Sequence, residues 1–268
     1  MKQIPQIGLG MFGYQNVKSD IELLDQALDM GYALFDTAEM YIGSEDALGT
    51  ALRNHNIKPY IISKINQENT NSESEIIEHC LSSRKKLNVD MIDSYLLHGI
   101  NHNLSDNQLL SIIKTLNILQ EIGVIGSYGY TTISPIMLKR MKYLEQVFDK
   151  NMSTVYQARH SICRRVEEET LFIAKDFGMH LISASPLGGT PNGLLNVRNH
   201  FNSFAKRIVS LTEQLSCSSQ QIALCWLRSI GSISIPRAKN AKHLKDNIDS
   251  LQLMMTQDQL NFVQQAAR

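Results

Sequence analysis

Eight times along this chain a short apolar run is followed by a longer amphipathic one, and that alternation restricts the possible folds more than any other feature. The apolar runs are PQIGLG (5–10), YALFDT (32–37), YIISK (60–64), MIDSYLLH (91–98), IGSYGYT (125–131), TVYQAR (154–159), MHLISASP (179–186) and SISIP (232–236). Most are short and rich in Ile, Leu, Tyr or Val, as buried parallel strands are.

The stretches between them have legible helix ends. SDIELLDQALDMG opens on Ser19, sets Ile21, Leu24, Ala27 and Leu28 on one face, and stops at Gly31. SEDALGTALRNH opens on Ser44. NSESEIIEHCLSSRKKLN carries acids in its first turn and bases in its last, matching the helix dipole. SDNQLLSIIKTLNILQEIG ends at Gly123, and Pro135 begins the next segment, where a proline fits best. Alternating strand–helix units imply a parallel sheet with helices outside it. Eight such units favour a closed (β/α)8 TIM barrel of the α/β class over an open sheet, as a single domain spanning residues 1–268.

That length suits one barrel. Basic and acidic side chains balance at 26 each, which argues against a nucleic-acid surface. Cys80, Cys163, Cys217 and Cys225 form no CxxC pair and read as reduced thiols. The start, MKQIPQIGLGMFGY, lacks a signal peptide's apolar run, and no window approaches a membrane span. The expectation is a cytoplasmic protein with neither nucleic acid nor membrane as partner.

In such a barrel, chemistry collects at the carboxyl ends of the strands. Those ends present Asp36 with Tyr41 just behind it, then Lys64, then His98. A free tyrosine titrates near about 10, and moving it close to 7 takes about 4 kcal/mol of preference for the phenolate. An ammonium about 4 Å away supplies roughly that much at an effective dielectric of about 20. Lys64 suits that role, with Asp36 holding its charge. His98 suits orienting a substrate oxygen or relaying a proton. The set describes a tyrosine acid that protonates a carbonyl oxygen while another group attacks the carbon. Taken singly, Asp36 is a loop acid, Tyr41 a rim tyrosine and His98 a core histidine. Lys64 is harder to dismiss, because lysine is rarely buried unless paired.

These segments resemble the aldo-keto reductase family over almost the whole chain. FDTAEMYIGSEDALGTAL, IISKI and LNVDMIDSYLLHG resemble its aspartate–tyrosine, lysine and histidine segments. VYQARHS, GMHLISASPLGG and SISIPRAKNAKHLKDNI resemble the segments that hold nicotinamide, pyrophosphate and adenosine. The resemblance implies carbonyl reduction with NADP(H) or NAD(H) through Tyr41, Lys64, Asp36 and His98. It also implies a cofactor lined by Gly10, Met11, Asp36, Thr131, Thr132, Gln157, Ser185, Leu187, Gly188, Arg237, Lys239, His243 and Asn247. Arg237, Lys239, Lys242 and His243 favour NADP, since cations there answer a ribose phosphate. A small carbonyl compound is the implied partner.

Three departures stand out. Ala184 replaces the aromatic residue that relatives stack on the nicotinamide, leaving a gap for another ring such as Tyr128 or Tyr130. Thr131-Thr132 replaces a Ser-Asn pair. The region after SPLGG is short, so the mouth should be open. The first two keep a second function in view, a cofactor-binding sensor or regulatory subunit. A third keeps the tetrad and runs it towards alcohol oxidation.

Other signals are weaker. GLGMFG (8–13) satisfies a dinucleotide-binding G-x-G-x-x-G, but no helix start follows until Ser19. In the barrel reading, Gly8 and Gly10 let the first strand pass close to the cofactor. His98 and His102 share a metal-like spacing that would align only on a helix, and here a strand end and Gly99 intervene. Met11 and Phe12 line the mouth and read equally as substrate contacts or core packing, His160 reads first as packing and second as a substrate or cofactor contact, and Trp226 joins a helix to the barrel. Met137, Met141, Met152 and Met254 read as core fillers.

Overall fold

The computed structural model describes residues 2–148, 152–189 and 203–266. Eight parallel strands pair in sequence order: β1 (Leu9–Gly10), β2 (Leu34–Asp36), β3 (Tyr60–Asn66), β4 (Ile92–His98), β5 (Ile125–Thr131), β6 (Val155–Arg159), β7 (His180–Ala184) and β8 (Ile233–Ile235). Ile7 forms a parallel bridge with Ser234. Gly8 N donates to Ser234 O at 2.9 Å and Gly10 N to Pro236 O at 3.1 Å, which brings the first strand back against the last. The result is a (β/α)8 barrel.

Helices fill the connections: α1 (Lys18–Asp29), α2 (Ser44–Arg53), α3 (Glu73–Leu87), α4 (Asp106–Glu121), α5 (Pro135–Glu145), α6 (Glu168–Asp176), α7 (Ser203–Leu215), α8 (Ser219–Ser229), α9 (Ala241–Asp249) and α10 (Gln257–Ala266). The caps follow local chemistry. Ser105 and Gln108 form a reciprocal capping box at α4, and Ser134 caps α5 ahead of Pro135. Ser19 does not cap α1. That helix starts at Lys18 with Val17 as its cap, and Asp20 instead accepts from Gln15 N at 2.7 Å. Because α1 starts five residues after Gly13, the glycine motif does not open a helix of its own.

The strands separate two apolar layers. Leu34, Tyr60, Ile62, Leu96, Val155, Ile182, Ile233 and Ile235 cluster inside the barrel. A larger cluster, with Leu9, Phe35, Ile61, Tyr95, Leu97, Tyr128 and Tyr130 among its members, lies between strands and helices. This partition follows from the strand period of two, which sends neighbouring side chains to opposite faces. It also gives Gly8 and Gly10 a role in closure. A Cβ on Gly8 would lie 2.4 Å from the Leu34 side chain, and one on Gly10 2.6 Å from Ile235 O. The absent side chains let the first strand close against its neighbours.

Tyr130 donates to Glu145, whose other oxygen lies 2.6 Å from Lys142 Nζ, in a fully buried network behind β5. Met137 and Met141 are buried as expected, whereas Met152 and Met254 are exposed. Trp226 belongs to an outer cluster with α7, α8 and α10 and donates to Gln264 at 3.0 Å, so it joins helix to helix. Among the described residues no helix is long and apolar enough to cross a membrane, and all four cysteines are free.

Candidate active site

The period of two that fills the barrel also builds the mouth. Two residues beyond Leu34 stands Asp36, beyond Ile62 Lys64, beyond Leu96 His98, and beyond Val155 Gln157. Each apolar side chain packs inside, and the next residue on the same face arrives one layer higher, at the carboxyl end. The four polar side chains are therefore convergent by construction.

Lys64 is completely buried. Its Nζ lies 2.8 Å from both Asp36 oxygens and donates to Thr37 O at 2.7 Å. Gln157 Nε2 donates to Asp36 Oδ1 at 2.6 Å, reaching across the barrel from β6. The carboxylate thus balances the ammonium and is itself held by an amide, as a buried charge requires.

Tyr41 reaches this cluster from a tight loop. Its N–H donates to Ala38 O at 2.9 Å, and its carbonyl accepts from Ser44 N at 2.8 Å. Gly43 then takes φ 78°, a left-handed turn open to glycine, and a Cβ there would press to 2.9 Å from Asn16 N. The Thr37 and Ser44 hydroxyls meet at 2.8 Å and brace the loop's two ends. The Tyr41 ring stands edge-on to His98 at 5.8 Å between centroids and to Phe12 at 5.2 Å. Lys64 Nζ lies 5.2 Å from its centroid.

Titration in this setting differs from the sequence argument. The Tyr41 phenol is pushed up, not down: burial dominates, the Asp36 carboxylate adds to it, and the Arg159 charge only partly opposes it. The physical reason is that the Lys64 ammonium is engaged by Asp36 and Thr37 rather than by the phenol, so burial and the Asp36 charge together disfavour the phenolate. Burial also pulls the Lys64 amine down, against the Asp36 charge that supports it. His98 falls to about 4, through burial and then the Lys64 charge, so it is neutral at pH 7. Its Nδ1 is buried without a partner among the described residues.

The other sequence-selected residues divide into three groups. At the mouth, Thr131 sits beside Gln157 in register, with its hydroxyl buried and unpartnered among the described residues. Thr132 and Ser185 follow β5 and β7 with φ of 51° and 50°, and Gly188 N closes a turn on Ser185 O at 2.9 Å. At the rim, Arg237, Lys239, Lys242 and His243 are exposed around the start of α9. Arg237 donates to Gly13 O at 3.1 Å. A third group turns away from the mouth. The Met11 side chain is fully buried in the strand–helix core, Leu187 packs on the outer cluster of α7, α8 and α10, and Asn247 is buried beside Tyr32.

These positions fit a nicotinamide cofactor. An orphaned buried hydroxyl beside a glutamine suits a carboxamide, and exposed cations at a helix start suit a phosphate. The gap at Ala184 is not filled by Tyr128 or Tyr130. Both rings belong to the outer layer, where Tyr130 hydrogen-bonds Glu145. His160 packs as expected, tilted on Trp226 with Nδ1 accepting from Val166 N at 3.0 Å. Among the described residues no cluster could hold a metal ion.

The fold is therefore a (β/α)8 barrel with a buried Asp–Lys pair and a tyrosine at its mouth. The profile of the aldo/keto reductase family matches residues 6–268, and the chain belongs to that family. Methylglyoxal reductase YeaE of Escherichia coli is 26% identical over 256 residues, spanning 93% of this chain and 84% of that protein. The aldose reductase of Encephalitozoon cuniculi is 23% identical over 94% of this chain and 87% of its own. An aldo/keto reductase from Klebsiella pneumoniae, solved with NADP and acetate, superposes with a TM-score of 0.80 at 19% identity, covering 98% of this chain and 91% of its own.

One charged residue at the mouth escaped the sequence reading. Arg159 ends β6 and is exposed. Its signal was the same period of two that placed Gln157.

Proposed function

We propose that the chain reduces the carbonyl of a small aldehyde, ketone or sugar-type compound to the alcohol, with NADPH as reductant and Tyr41 as the proton donor. The observation that carries this reading is the Asp36–Lys64 pair packed at 5.2 Å under the Tyr41 ring, at the open end of the barrel. Bound NADPH supplies a hydride to the carbonyl carbon. The residues of this chain do the rest. Tyr41 gives its proton to the carbonyl oxygen, and because its pKa is raised the proton is present throughout the neutral range. Neutral His98 hydrogen-bonds that oxygen and orients it. Lys64 shares the growing negative charge on Tyr41 as the proton leaves, while Asp36 keeps the amine charged and Gln157 fixes Asp36.

Thr131, Thr132 and Gln157 would hold the carboxamide, Ser185 and Gly188 the pyrophosphate, and Arg237, Lys239 and His243 the far phosphate. Those exposed cations support NADPH over NADH. Four free thiols support a cytoplasmic setting. Substitution Tyr41→Phe tests the scheme: NADPH titration should be unchanged, and turnover of model aldehydes should fall by at least about 100-fold. Near-wild-type turnover would refute it.

Ala184 supports a second reading, a barrel that binds cofactor without turning over, because it offers no aromatic face and the Tyr128 and Tyr130 rings lie in the outer layer. Fluorescence titration with NADPH alongside a broad carbonyl panel separates the two. Binding without any turnover favours the sensor.

A further inference from the structure

We propose that Arg159 selects the substrate class: its guanidinium receives an anionic group, a carboxylate or phosphate, carried by the carbonyl compound. This rests on the reading of the mouth as a carbonyl-reducing site.

The geometry begins with β6. Val155 packs inside the barrel, and Gln157 reaches Asp36 from the same face. Arg159 is the next residue on that face, one layer nearer solvent, so the strand aims it over the tetrad. Its register is fixed: Arg159 pairs with Ala184 of β7, and His160 N donates to Ala184 O at 3.1 Å. Ala184 sets only a methyl group beside Arg159. Arg159 is exposed, and among the described residues no carboxylate pairs with it.

Charge completes the argument. Asp36 and Lys64 are paired, and burial keeps His98 neutral at pH 7. Among the described residues Arg159 has no carboxylate partner, and its charge reaches Tyr41, where it opposes burial and the Asp36 charge. The chain as a whole has no net charge, so this field is local. A guanidinium is a rigid fork matched to carboxylate or phosphate oxygens, and its exposure leaves it accessible to an entering anion. A solvated rim arginine would show none of the selectivity that follows.

Steady-state kinetics with NADPH should compare 4-carboxybenzaldehyde with its methyl ester, and succinic semialdehyde with butanal, for wild type, Arg159→Gln and Arg159→Lys. Wild type should favour each anionic member in kcat/KM. Arg159→Gln should lower kcat/KM for the anionic members by about 10- to 100-fold, with the neutral members and the NADPH Kd within about twofold. Arg159→Lys should restore part of the loss, and about 0.5 M NaCl should erode the preference in wild type alone. The absence of any anionic preference in wild type overturns the proposal. So does an equal loss on all substrates together with weakened NADPH binding, which would assign the guanidinium to the cofactor pyrophosphate. If no carbonyl is turned over, calorimetric titration of the NADPH complexes with 4-carboxybenzaldehyde still decides. Tighter binding by wild type than by Arg159→Gln sustains the anion site while the reductase reading fails, and equal binding overturns it.

Discussion

Lys64 sits 5.2 Å from the ring centroid of Tyr41, yet its ammonium faces Asp36 and Thr37 and makes no hydrogen bond to the phenol. The pair does not acidify Tyr41 at rest, because burial and the Asp36 carboxylate both raise its phenol. It stabilises a phenolate less as a standing condition than as a response while the proton departs. This relationship governs what each part of the site should do when altered.

Removing one partner of the buried pair should be costly. Asp36→Ala leaves an uncompensated ammonium in a fully buried site and should lower stability by about 3–5 kcal/mol in urea unfolding. The double replacement Asp36→Leu with Lys64→Met should regain most of that loss while leaving the protein inactive. A double mutant no more stable than Asp36→Ala would contradict the pairing seen here.

The raised pKa of Tyr41 sets the pH behaviour of reduction. Its proton stays bound from pH 5 to about 9, and His98, at about 4, is neutral over the same span. The reductive kcat/KM should therefore be flat between pH 5 and about 9. Alcohol oxidation needs the phenolate and should still be rising at about pH 9. A basic limb with a midpoint near about 7 in the reductive profile would show that Tyr41 is acidified instead.

His160 should make the fold acid-sensitive. It is 2% exposed, and burial, then the Arg165 charge, lowers it from 6.5 to about 4. The sign follows from proton counting. Between pH 4 and 6.5 the unfolded chain binds a proton that the native imidazole refuses, so stability falls as pH drops through that window. From pH 6.5 to 5 the loss from this residue should be about 2 kcal/mol. Urea unfolding of His160→Asn should show a shallower pH slope; an unchanged slope would clear His160 of the effect.

Barrel closure should be intolerant at one glycine. A Cβ on Gly10 would lie 2.6 Å from Ile235 backbone oxygen, which cannot rotate away. Gly10→Ala should cost about 1–3 kcal/mol in thermal or urea unfolding. Unchanged stability in Gly10→Ala would mean that closure is not the constraint.

How much of this was legible beforehand can be argued residue by residue. The sequence alone determined the strand–helix alternation, because apolar runs and caps are local signals read within a few residues of themselves. It also placed Asp36, Lys64 and His98 together, since each ends an apolar run, whereas Gln157 was drawn in by the family resemblance. It could not fix the direction in which Tyr41 titrates. That depends on how fully Asp36 and Thr37 engage Lys64 and on how dry the mouth is, quantities set by packing across three strands and a loop. Nor could it tell that Gly8 and Gly10 serve the barrel seam, or that Met11, Leu187 and Asn247 turn towards the helices. Local sequence specifies which side chains alternate. Which face becomes a site, and with what net charge, is decided only when eight strands meet and groups far apart in the chain share one desolvated space.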